Sequence, residues 1–159
     1  MWAVATKPWV ALPAWALATW VWAIPAVFDY TSQHELLHAF EHATLFYTGF
    51  ALWWLIITPL PSDRRDPGMV RLTYLGFSRG ASALVCLPLA WLSHPIYPLY
   101  SSGPHAYGLS ASTDQHIAGA MMCLLEVLVF GIALVAVFID MLDREERAQE
   151  LGELAASGR

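Results

Sequence analysis

With 159 residues, 57% hydrophobic and only 13% charged, the chain is too apolar for an ordinary soluble domain, where about a quarter of residues carry charge. A formal net charge of −5 and no basic patch argue against a nucleic-acid partner, and nothing marks nucleophilic catalysis or nucleotide binding. The length suits one compact membrane bundle of a few spans, each needing about 20 residues, without a second domain or internal repeat.

Four spans are expected, over residues 9–28, 34–57, 72–93 and 114–141, giving an all-α transmembrane domain over 1–143 and a tail over 144–159. The first follows Lys7 and ends in small residues near Ala26, as a signal peptide would. Its length, tryptophans and interior prolines favour a retained helix. The second opens with "HELLHAFEHA", residues 34–43. At 100° per residue, His34, Glu35, His38, Glu41 and His42 share an arc of about 120°, extending about 12 Å along the axis. His38 and His42 have the i, i+4 spacing with which one helix face offers two imidazoles to a single metal ion. Hydrogen bonding to one another and to the outer loop would equally anchor the helix end. Gly49 continues that face and would admit a close approach.

Arg79 interrupts the third span. After it, "SHPIYPLYSSGPHAYG" combines proline, glycine, tyrosine and histidine without a basic residue, suiting an ordered cap at the membrane interface. The fourth span begins "STDQHIAGAMM", with Ser112 as candidate N-cap and Asp114 set against the positive helix end. Gln115, Gly119, Met122 and Glu126 form one stripe; His116 and Cys123 form another. Imidazole with soft sulfur suits copper, although a methionine stripe also serves packing. Cys86 and Cys123 lie in apolar runs and read as small buried hydrophobes rather than a disulfide framework, with Cys123 also a candidate soft ligand. Arg79 and Glu126 lie at about 21 and 18 Å from the outer helix ends. An intramembrane pair is therefore expected, against the alternative that Arg79 snorkels to the surface.

Lys7, Arg64, Arg65, Arg71, Arg144, Arg147 and Arg159 fall before the first span, in the second loop or after the fourth. The positive-inside rule makes those segments cytoplasmic, with both termini in. His34, His38, His42, His94, His105 and His116 then all lie outward, with Asp29, Glu35, Glu41 and Asp114 and no basic residue, a field that attracts cations.

"HAFEHATLFYTGFALWW", "DQHIAGAMM", "WVWAIPAVFDY" and "SHPIYPLYSSG" resemble, in order, motifs of the CtaG-like cytochrome c oxidase assembly family, over residues from about 15 to 140. The resemblance implies a non-enzymatic factor of the bacterial inner membrane that supplies copper to a terminal oxidase. His38, Glu41, His42, Asp114 and Gln115 stand at motif positions. Family members are usually longer, with further N-terminal spans. Ala23, His116 and Cys123 depart from the pattern, so a rearranged ligand set and an obligate partner are expected. Partners would be the lipid bilayer, a terminal oxidase subunit or another copper-assembly factor, with self-association left open. The leading expectation is copper, as Cu(I), held by outward imidazoles with Met122 or Cys123. A b-type haem between His42 and His116, or a metal-free accessory subunit, are the alternatives.

Overall fold

The computed structural model describes residues 2–57, 68–102 and 108–157. Among them the regular elements are helices: α1 (Trp2–Ala5), α2 (Pro8–Trp22), α3 (Pro25–Ser32), α4 (Glu35–Ile57), α5 (Gly68–Trp91), α6 (Pro98–Ser102) and α7 (Ala111–Ser157). α5 and α7 are each long and apolar enough to cross a bilayer, and α2 with α3 supplies a third crossing if that bent pair is one span. The chain is an all-α membrane protein. α4 has 23 residues, the length of a span, but its first turns carry Glu35, His38, Glu41 and His42, and it falls outside this apolar set.

The expected first span, 9–28, is not one straight helix: α2 and α3 meet at 75°. Pro25 has no N–H to continue the ladder, and its ring disfavours helical geometry in the residue before it. Ile24 accordingly has φ −64 and ψ 125. The break is well bonded. The N–H groups of Ala23 and Ile24 donate to Thr19 O and Val21 O, each at 3.2 Å, and the Tyr97 hydroxyl donates to Ala23 O at 3.1 Å.

The fourth helix starts three residues earlier than expected and continues through Ser157, taking in most of the tail. Its cap is Ser110 rather than Ser112. The Thr113 N–H donates to Ser110 Oγ at 3.1 Å, the reach an N-cap oxygen has toward the third residue of its helix. Ser112 already lies within the helix, and its hydroxyl donates to Ser93 O at 3.1 Å, tying α7 to the end of α5.

α5 and α7 run antiparallel along one seam. Gly119 sets their separation: a Cβ there would stand 2.5 Å from Ala90 N and 2.7 Å from Leu89 C, so only hydrogen fits. One turn on, Cys86 and Cys123 form a disulfide with Cα atoms 5.6 Å apart, which corrects the expectation of two independent small hydrophobes. The physical reason is the same glycine, which lets the backbones close to disulfide range. Deeper, the Arg79 Nη1 donates to Glu126 Oε2 at 3.3 Å, and the Ser82 hydroxyl donates to the other Glu126 oxygen. These two side chains thus face each other across the seam, as their matched depths require. Leu52 and Ile56 of α4, Tyr74 and Leu75 of α5 and Val137 of α7 form the core.

Arg71, expected in the second loop just before the third span, is buried beside that core. Its guanidinium donates to Asp140 Oδ2 at 2.8 Å and to Ile56 O at 2.6 Å, satisfying a terminal carbonyl of α4. Arg64, Arg65 and Arg159 lie outside the described residues.

Candidate functional site

α2 fixes the face that α4 presents. The Trp22 indole N–H donates to Thr44 Oγ1 at 2.8 Å, and the Trp22 and Phe40 rings meet edge to face at 6.1 Å. Gly49, where a close approach was expected, lies against the Trp15 indole, with room for an ordinary Cβ contact at 3.9 Å. With Phe40 and Thr44 turned toward α2, His38 and His42 fall on an exposed side of α4.

On that face, the turn between α3 and α4 seats His34, whose Nδ1 lies 2.8 Å from Tyr30 O and whose ring lies 4.2 Å from the Tyr30 ring. One turn further, His38 Nε2 and His42 Nε2 are 2.9 Å apart. At that distance one ring donates and the other accepts. An ion bound about 2.0 Å from each nitrogen, a usual metal–imidazole length, would see them about 90° apart, so the pair offers a cis edge of a coordination sphere. Glu41 Oε2 lies 4.0 Å from His38 Nδ1, with side-chain exposures of 12% for Glu41 and 50% for His38. An exposed pair of imidazoles therefore rests over a half-buried carboxylate. Glu35 is exposed at the start of the same face.

The residues expected from α7 form a second group. Asp114 and Gln115 line a cavity of about 280 Å³ with Phe28, Leu89 and Tyr97. Gln115 straps the loop between α5 and α7: its Oε1 accepts from Ile96 N–H at 2.6 Å, and its Nε2 donates to His94 O at 3.4 Å and Leu89 O at 3.5 Å. His116 Nε2 lies 2.7 Å from Leu92 O and donates to it, which leaves Nδ1 as the acceptor. Met122 is half-buried, whereas the Cys123 sulfur is committed to Cys86.

His42 is thus bonded within α4 and His116 to the end of α5. Among the described residues, no group of three or more histidine, cysteine, aspartate or glutamate side chains is arranged to hold a metal ion. His105 lies outside the described residues. What the fold brings together is the two-imidazole edge, with one carboxylate beside it.

Two residues take supporting roles that the sequence did not assign: Asp29, expected only as part of the acidic field, and Tyr97, expected only as a tyrosine of the loop. Asp29 Oδ2 accepts from Leu99 N–H at 3.3 Å, docking the α6 segment on α3, and Tyr97 packs its ring 4.5 Å from Phe28. Their signal was present in the outward acid of "FDY" and in the tyrosines of the loop. No periodicity, however, states which loop residue meets which helix.

The sequence pattern of the cytochrome c oxidase caa3 assembly factor family (Caa3_CtaG) matches residues 1–144. No curated protein and no solved structure matches the chain. The matched stretch takes in the α4 imidazole pair, the strapped loop and the whole α5–α7 seam, and on that extent the chain belongs to the cytochrome c oxidase caa3 assembly factor family.

Proposed function

We propose that the chain serves oxidase assembly by holding copper transiently as cargo at its outer membrane face, with His38 and His42 as the primary donors. The observation that carries this reading is the 2.9 Å approach of their Nε2 atoms on an exposed face beside Glu41. Imidazole nitrogen suits copper better than it suits magnesium or calcium. A two-donor edge leaves positions open for a receiving protein, which is what a carrier needs and a resident site does not. Asp29, Glu35, Glu41 and Asp114 supply negative charge along the approach. His34, His116 and Met122 are further donors toward which the ion passes, while Cys123 contributes only when its disulfide is open.

In this reading the protein spans the bacterial inner membrane four times with both termini cytoplasmic, α4 included as a span whose polar turns sit at the outer surface. Lys7, Arg71, Arg144 and Arg147 support that orientation. The receiving partner is a subunit of the terminal oxidase or another copper-assembly factor, and the protein acts as a carrier rather than a catalyst.

Metal analysis with an absorption spectrum of the purified full chain tests the reading. Copper without a Soret band supports it. A Soret band would establish the haem alternative, and a protein with neither would be an accessory subunit. Reporter fusions at the C-terminus that become active only when exported would overturn the orientation.

A further inference from the structure

We propose that Cys86 and Cys123, once reduced, form a second Cu(I) site inside the α5–α7 seam, closed to metal while their disulfide is intact. This rests on the reading that the chain handles copper, but it uses residues remote from the imidazole pair.

The seam does not depend on the disulfide to stay together. On one side Arg79 and Ser82 bond Glu126, and further along Arg71 bonds Asp140. On the other, α7 lies against Leu89 and Ala90 at Gly119, and Gln115 and Ser112 bond the end of α5. The bridge therefore joins two helices already held in register on both sides of it. Opening it leaves two sulfur atoms facing each other from Cα positions 5.6 Å apart, and side-chain rotation alone suffices to set them on either side of a two-coordinate ion. Thiolate pairs select soft Cu(I) over hard cations.

The surroundings fit that ion. Cys86 is fully buried, whereas Cys123 is half-buried and is the more accessible of the two residues. Ser82, one turn from Cys86, and Glu126, one turn from Cys123, bond each other and compete for neither sulfur. A dithiol reductant attacks Cys123 and displaces Cys86; its second thiol then resolves the mixed disulfide. Two electrons and two protons pass to the cysteines, and the reductant leaves as its own disulfide. Binding of Cu(I) to the two thiols then releases two protons and leaves the site with one negative charge.

The test uses the full chain in detergent, as purified and after anaerobic treatment with dithiothreitol followed by desalting. Each form is titrated with the acetonitrile complex of Cu(I) against a chromophoric Cu(I) chelator. The reduced form should bind one Cu(I) per chain more than the oxidised form, and bound Cu(I) should protect both thiols from alkylation. That added equivalent should disappear in the Cys86→Ser, Cys123→Ser double variant and persist in the His38→Ala, His42→Ala double variant. Equal stoichiometry in the two redox forms, or alkylation of both thiols at the same rate with and without Cu(I), would overturn the proposal, and both comparisons need only the wild-type chain. Loss of copper from the histidine variant bears on the outer site alone, so the two readings fail separately.

Discussion

The α5–α7 seam and the polar face of α4 both carry ionisable side chains, and they treat them in opposite ways. In the seam the charged and amide side chains are answered from other elements: Arg71 by Asp140, Arg79 by Glu126, which also accepts from Ser82, and Gln115 by the backbone of the loop and α5. On α4, His38 and His42 have each other and Glu41, on a face half open to the surroundings. Buried polar groups answered by partners hold a structure together. A polar pair bonded only within its own exposed face can exchange that bond for a ligand at little cost to the fold. The seam is thus the frame, and the α4 face is the part free to change partners.

The contrast breaks most readily in the seam. Arg79→Ala or Glu126→Ala alone should destabilise by about 3 kcal/mol, because each strands a charge at depth. The double change should recover much of that loss, and a double-mutant cycle of unfolding in mixed detergent reads the coupling. Additive losses would show that the 3.3 Å contact carries no energy. Gly119→Ala should cost about 2 kcal/mol or more, since the nearest atoms belong to backbone and cannot turn aside. Gln115→Ala should cost about 1 kcal/mol, the scale of a lost hydrogen bond to a loop amide. It should also raise proteolysis between His94 and Leu99. Smallest of all, His38→Ala with His42→Ala should shift stability by about 0.5 kcal/mol or less, as an exposed pair outside the frame would. A large loss there would make the imidazoles structural and erase the distinction.

The parts of this arrangement that sequence makes legible are those governed by position along one helix. The shared arc of His38, Glu41 and His42 follows from the 3.6-residue period, and their side chains meet at i, i+3 and i, i+4 spacing. Counting depth brings Arg79 and Glu126 to one level, and they lie 3.3 Å apart. Contacts between helices are less legible. Cys86 and Cys123 look like two unrelated apolar positions until Gly119 is seen to close the seam around them. The first span looks continuous because its hydropathy is continuous, yet Pro25 bends it by 75° with α3. The stop signal was present, and apolar length outweighed it. The outward histidines were expected to converge, but their shared side of the membrane says nothing about which helix neighbours which. α4 packs on α2, while His116 turns to the end of α5.

On the proposed function, the imidazole edge on α4 is where cargo is held. Copper retained by the purified chain after gel filtration against a competing chelator, compared between the wild type and the His38→Ala, His42→Ala variant, tests it most directly. Retention should be at least tenfold weaker in the variant, about 1.4 kcal/mol, with membrane insertion and unfolding midpoint unchanged. Equal copper content in the two proteins would contradict it.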